Sequence, residues 1–490
     1  MKRTRTLVVL IGLTLLSRAA FPAPESEDGW VALFDGATLE GWKASENAAS
    51  FRVEEGAITC DGPRSHLFYV GPVEGADFRS FEFQTEVRTR PGANSGIYFH
   101  TAFQEEGWPE KGFEIQVNNS QKRHGDYLEM KKTGSLYGYR NLYKAMAPDD
   151  EWFEVKAEVR GKRVRIWTGG TLVVDYREPD ALPASWDEGF RKLGHGTFAF
   201  QCHDPQSRVS YRKVRVRPLP DAATDDVPSP AADETFMRML ELGRDNVPLV
   251  DLHVHLKYGP TLEQALALSR RTGMFLGVAV NVGKGFPVET DEGARAFVKE
   301  MERQPVFVGM QAEGREWVDM ISKETRAAFD YVFTDAMTFT DDRTGKRTRL
   351  WMPEEVEVGD PEEFMTMLVG KTVGILENEP IDVWVNPTYL PQEVADRYDA
   401  LWTEERMKRV IDAAVSDGVA IEINTRYRIP SERFLRLAKE KGARFTFGTN
   451  NAGAEDLGDW SYGLQMQKAL GLTWKDMFVP GHAPSRAARD

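Results

Sequence analysis

The chain changes rhythm near residue 220, and no single fold accommodates both rhythms. Before that point apolar residues recur at every second position in short runs. In "FEFQTEV" (81–87) Phe81, Phe83, Thr85 and Val87 share one face, and "WFEVKAEV" (152–159) repeats the pattern. "RVRIWTGGTLVVDY" (163–176) reads as two strands joined at Gly169-Gly170, a hairpin signal. Many short alternating strands with Gly, Pro and Asn between them predict a sandwich or jelly roll over 28–220. After residue 245 apolar strands alternate with helical stretches: "LVDLHVHL" then "TLEQALALSRR", "MFLGVAVNV" then "DEGARAFVKEMER", "PVFVGMQAE" then "REWVDMISKETRAAF". "YVFTDAMTF", "IDVWVNP", "VAIEIN" and "RFTFGTN" continue the series. Seven such units predict a parallel βα barrel over 245–485 rather than an open sheet. The Pro-, Ala- and Asp-rich segment between the halves has no apolar period and reads as a linker, 221–244.

The N-terminus reads as a targeting segment. Lys2, Arg3 and Arg5 precede the apolar run "LVVLIGLTLLS" (7–17), and Ser17 and Ala19 offer small residues for cleavage. We therefore expect a signal peptide over 1–19 and a secreted, periplasmic protein with no stable membrane span. A net charge of −14 without a basic run makes nucleic acid an unsuitable partner. Two cysteines, Cys60 and Cys202, leave a disulfide and two buried thiols equally open.

In a βα barrel, functional groups gather at the C-terminal ends of the strands. Those ends carry His253 and His255, Asn281, Glu313, Asp335, Asn386, Glu422, Asn424, Asn450 and Asn451. Of eight histidines in the chain, only His253, His255 and His482 follow residue 220. The opening "DLHVHL" and "VGMQAEG" resemble motifs of the PHP family, metal-dependent phosphoesterases on a seven-stranded distorted barrel. "DVWVNPTYL" and "FGTNNAGAEDLG" are similar to later PHP motifs, with Asn386, Asn450 and Ala452 where that family carries His, Asp and His. Asn281 likewise stands at or near a family His. Amides bind divalent transition metals far more weakly than imidazole or carboxylate. The remaining set is His253, His255, Glu313 and Asp335. It reads two ways: a site for one Zn²⁺, Mn²⁺ or Fe²⁺, or a vestige whose side chains hydrogen-bond to each other. Repeated Asn also suits a neutral ligand such as a sugar, because amides both donate and accept.

In the first half, "GFEIQVNN" (112–119) sends Phe113, Ile115 and Val117 one way and Glu114, Gln116 and Asn118 the other. "GTFAFQCHD" (196–204) does the same with Gln201 and His203, and "NSGIYFH" (94–100) with Tyr98 and His100. Strands of this kind in one sheet make a face of carboxylate, amide, imidazole and phenol suited to a carbohydrate. "VALFDGATLEGWK", "PGANSGIYFH", "GFEIQVNN", "TGSLYG", "DEWFEVKAEVRG" and "GTFAFQCHDPQSRVSYRKVRVRPL" follow in order. This run resembles the 3-keto-disaccharide hydrolase family, also called domain of unknown function 1080. The resemblance implies a concanavalin-like jelly roll acting on 3-keto-glycosides.

A ketone at C3 acidifies the C2 proton, so one base, one acid and donors to the enolate oxygen suffice. Strand facing and family position make Glu114 and His203 the catalytic pair, in either order. Gln116, Asn118, Tyr98, His100, Tyr137 and Gln201 are then substrate-binding candidates. The alternatives are a carbohydrate-binding module fused to a PHP-like metal-dependent hydrolase, or to its eroded remnant.

Overall fold

The computed structural model describes residues 28–121, 127–220, 227–257, 259–482 and 485–486. The expected signal peptide and residues 221–226 of the expected linker lie outside the described residues. Among the described residues, no helix is long and apolar enough to cross a membrane.

Residues 31–218 form two antiparallel sheets of eight and five strands packed face to face. Alternation explains the packing. Phe81, Phe83, Thr85 and Val87 are all buried, and Phe83 stacks on Phe198 of the opposite sheet at 4.7 Å between ring centroids. The hairpin turns at Gly169 and Gly170, with φ of +57° and +82°, so both positions occupy the region that favours glycine. Cys60 and Cys202 are free and buried in this core. The five-stranded sheet runs Trp42–Ala44, Ser65–Tyr69, Thr197–Cys202, Ser95–Thr101, Phe113–Val117, and its outer face carries Tyr98, Glu114 and Gln201.

The linker reading needs a correction in its second half. Glu234–Arg244 is a helix, capped by the Asp233 carboxylate accepting from Phe236 N at 2.8 Å. It buries Met239, Leu240 and Leu242, an apolar stripe that the composition of the flanking segment obscures.

Seven parallel strands then close a barrel in sequence order: Val250–Val254, Phe275–Val282, Phe307–Ala312, Tyr331–Thr334, Val383–Trp384, Ala420–Asn424 and Phe445–Gly448. Helices between them show ordinary end signals, such as the Thr261/Gln264 capping box and Gly273 at φ +88° closing the same helix. The floor of the barrel is plugged by Tyr331, whose hydroxyl donates to Leu252 O at 2.6 Å. Gly277 and Gly309 leave room for that ring; a methyl at Gly309 would sit 2.5 Å from it.

The sandwich docks on this floor, at the N-terminal ends of the strands. Leu249 N donates to Tyr143 Oη at 3.3 Å, Tyr143 meets Phe275 edge-on at 6.0 Å, and Lys144 pairs with Asp330 at 2.7 Å. The mouth of the barrel therefore faces away from the sandwich. A short hairpin, Thr338–Thr340 with Arg347–Arg349, carries Arg349 and Trp351 to that mouth.

Candidate functional site

On the outer face of the five-stranded sheet, Glu114 pairs with Tyr98 in the strand register and lies diagonally beside Gly96, which pairs with Gln116. Tyr98 Oη donates to Glu114 Oε2 at 2.8 Å. Gln201 Nε2 donates to Glu114 Oε1 at 3.1 Å and to Tyr98 Oη at 3.2 Å. These bonds favour the ionised carboxylate, yet burial outweighs them and pushes Glu114 up to about 7. Gly96 makes this possible. A methyl there would lie 2.9 Å from Glu114 Cγ and Cδ and closer still to Oε1. Gly96→Ala is therefore expected to fold normally, because the flexible carboxyl end can swing away, but to misplace the carboxylate. Activity should fall about 10²-fold, the usual effect of an ångström of misplacement. Unchanged turnover in Gly96→Ala would remove Glu114 from the chemistry.

Around Glu114 the fold gathers groups that the sequence reading does not anticipate. Glu129, 2 % exposed, takes hydrogen bonds from Tyr137 Oη at 2.9 Å and Tyr127 Oη at 3.1 Å on one oxygen. Its other oxygen accepts from Lys131 N at 2.9 Å and Lys131 Nζ at 3.5 Å. A carboxylate so fully engaged anchors the two tyrosines rather than attacking a substrate. His66, adjacent to Gln201 in the strand register, has neither ring nitrogen partnered, and burial lowers it to about 4, so it is a neutral imidazole. Trp108 lies edge-on over His66 at 5.5 Å and beside His203 at 5.2 Å. Tyr127 stacks on the other side of His203 at 5.8 Å. His203 Nδ1 is bonded to Asp204 Oδ2 at 2.7 Å, which fixes the ring's orientation.

The expected site residues thus divide. Glu114, Tyr98, Gln201 and His203 come together, with Tyr137 in the adjoining wall and Gln116 bonded through Nε2 to Asn94 Oδ1 at 2.7 Å. Asn118 does not face a ligand. It is fully buried, gives both amide hydrogens to Glu129 O at 2.9 Å and Lys131 O at 2.8 Å, and accepts from Gln121 N at 2.8 Å. Its work is to hold the loop that carries Glu129. His100 is also turned away. Its backbone adopts φ +54°, alternation fails there, and the ring packs between Phe81 and Phe99 with Nε2 on Arg79 O at 2.9 Å. The signal for His66 was present, since Ser65, Leu67 and Tyr69 alternate with it; Glu129 lies in a loop without period.

At the barrel mouth, side-chain alternation along the first strand would place Asp251 on one face with His253 and His255, and the structure departs from it. A register shift between Asp251 and Val254 turns Asp251 outward, where it accepts from His253 N and Thr449 N, both at 3.1 Å, from Thr449 Oγ1, and from Trp460 Nε1 at 2.9 Å. His253 and His255 face inward, 1 % and 2 % exposed. His253 Nδ1 bonds to Glu422 Oε1 at 2.6 Å and His255 Nδ1 to Ala279 O at 3.3 Å. Both Nε2 atoms are buried without a hydrogen-bond partner.

Glu313 accepts from Asn281 Nδ2 at 2.6 Å, and burial together with the neighbouring Asp335 pushes it up to about 8. Asp335 accepts from Asn386 Nδ2 at 3.1 Å and Met337 N at 2.9 Å. Asn386 Oδ1 in turn accepts from Asn424 Nδ2 at 3.0 Å and Asn450 Nδ2 at 2.8 Å. Above them opens a cavity of about 380 Å³, lined among others by Lys257, Gln311, Trp351, Arg426 and Tyr427. Two imidazoles with oriented, unpartnered Nε2 atoms are suitable metal donors, but Glu313 and Asp335 are drawn onto amides. Among the described residues, no three His, Cys, Asp or Glu side chains form a group that could hold a metal ion.

A protein of Parabacteroides distasonis ATCC 8503 provisionally assigned to the glycosyl hydrolases is 22 % identical, with a TM-score of 0.33, covering 39 % of this chain and 95 % of its own. The carbohydrate-binding module CBM66 from Bacillus subtilis is 12 % identical, with a TM-score of 0.23, covering 40 % of this chain and 99 % of its own. No curated protein matches the chain. Residues 29–217, which include the Glu114 face, match the family model of the 3-keto-alpha-glucoside-1,2-lyase-like domain, and the barrel lies outside the match.

Proposed function

We propose that the sandwich cleaves 3-keto-glycosides by elimination, with Glu114 as the base. The observation that carries this reading is a single partly exposed carboxyl, poised at about 7 and held from both sides by Tyr98 and Gln201. A general base works best with a pKa near the working pH. The second carboxylate, Glu129, is committed to tyrosines and backbone, which disfavours a two-carboxylate glycosidase mechanism.

Glu114 takes the proton from C2, and the released pair forms the C2=C3 bond of an enolate. That pair then forms C1=C2 as the C3 carbonyl returns, and the C1–O bond breaks. The leaving oxygen takes a proton from His203, whose ring Asp204 orients. Water adding across C1=C2, oxygen to C1 and hydrogen to C2, releases the free 3-keto sugar. Neutral His66 and the second amide hydrogen of Gln116 are the donors available to the enolate oxygen. Gln201 has spent both of its amide hydrogens, so it positions Glu114 instead.

The test is turnover of methyl 3-keto-α-glucoside in D₂O. The released sugar is expected to carry deuterium at C2, and kcat/KM to rise with pH through about 7 as Glu114 ionises. Release without deuterium at C2 would exclude the elimination. For the barrel, we propose a PHP-like ancestry with the metal chemistry lost; the support is that Asn281 and Asn386 hold the carboxylates left at the strand ends.

A further inference from the structure

We propose that the mouth of the barrel is a second carbohydrate site, one that binds a neutral polyhydroxylated ligand without a metal ion. Four observations converge. First, the Nε2 atoms of His253 and His255 are buried without a hydrogen-bond partner, close to the cavity-lining Asp335 and Gln311. Their Nδ1 atoms are tied to Glu422 Oε1 and to Ala279 O. With its Nδ1–H donated, each ring presents a lone pair at Nε2, and a buried lone pair without a donor is costly. A hydroxyl hydrogen supplies the missing donor.

Second, the lining is rich in amides. Asn281, Gln311, Asn386 and Asn450 come from four strand ends; Asn281 and Asn386 are tied into the network described above, and amides as a class both donate and accept, as a polyol needs. Third, the cations that line the pocket are engaged: Lys257 Nζ donates to Asn281 Oδ1 at 3.3 Å and Arg426 Nη1 to Asn450 O at 3.4 Å, while Arg349 is spent on Glu355. Fourth, Trp351 and Tyr427 supply ring faces at the rim for the apolar side of a sugar, and about 380 Å³ is within the usual range for a small-ligand pocket. The site does not depend on the sandwich chemistry, because the mouth opens at the end of the barrel away from the sandwich.

The experiment is titration calorimetry of the full chain in EDTA with methyl α-glucoside, glucose, myo-inositol and glucose 6-phosphate. Saturable binding of at least one neutral probe is expected. Asn386→Leu and Trp351→Ala should each weaken it at least tenfold. Trp351→Ala at the half-exposed rim serves where the more central Asn386→Leu fails to fold. A Glu114→Gln/Trp108→Ala double variant should leave this binding unchanged, which separates it from the sandwich site. The proposal is overturned if no neutral probe binds, if binding disappears in the sandwich variant, if only the phosphate binds, or if binding requires added Zn²⁺ or Mn²⁺.

Discussion

Glu114→Gln is expected to lower kcat on a 3-keto-glycoside by roughly 10²–10⁴-fold, the range for loss of a general base. The substitution keeps the size of the side chain and removes only the proton acceptor. KM should change little, since Tyr98, Gln116 and the rings of Trp108 and Tyr127 stay in place. The same variant carries a stability signature of definite sign. Burial pushes Glu114 up to about 7 in the folded chain, above the ordinary carboxyl value of 4.5. The folded state therefore favours the neutral form, and this contribution to stability is fully present below about 4.5 and lost as pH rises through about 7. Gln is neutral throughout. Glu114→Gln should thus match the wild type in thermal midpoint at pH 4.5 and exceed it at pH 8. Loss of activity with an equal midpoint at both values would mean that the carboxyl is not buried as described. Full activity would return the site to sugar binding alone.

The second large effect concerns Asp251. Its carboxylate, fully buried, receives four hydrogen bonds from His253 N, Thr449 N, Thr449 Oγ1 and Trp460 Nε1. It ties the first barrel strand to the segment after the last one and so closes the ring. Asp251→Ala leaves those donors buried and unsatisfied, at a cost of about 3–5 kcal/mol. The thermal midpoint of the barrel is expected to fall by on the order of 10 °C. The sandwich reaction should survive at temperatures where the variant remains folded, since Asp251 touches nothing near Glu114. A shift under about 2 °C would show that water or rearranged neighbours satisfy those donors.

How far the sequence carried these conclusions differs between elements. Strand alternation in 81–87, the Gly169-Gly170 turn and the seven βα units were legible because each is a local pattern: period two, positive φ at glycine, strand followed by helix. Glu114, Gln201 and His203 were legible for the same reason, as the outward members of alternating strands. Failures came where the local pattern breaks. His100 leaves the face because its φ is +54°, and Asp251 leaves the mouth because the register shifts beside it. Asn118 spends both amide hydrogens on a loop about a dozen residues away, a closure that no local window contains.

By itself, then, the sequence determined the two architectures, their order and the polar face of one sheet, since backbone periodicity and side-chain alternation are short-range physics. Only the tertiary structure decided which polar groups meet. Glu129 and His66 joining Glu114, the partial emptiness behind Gly96, the two bare imidazole nitrogens at the mouth, and the docking of the sandwich on the barrel floor all depend on contacts between distant segments. Burial then set the chemistry, because desolvation, which no residue carries in its own identity, is what lifts Glu114 to about 7.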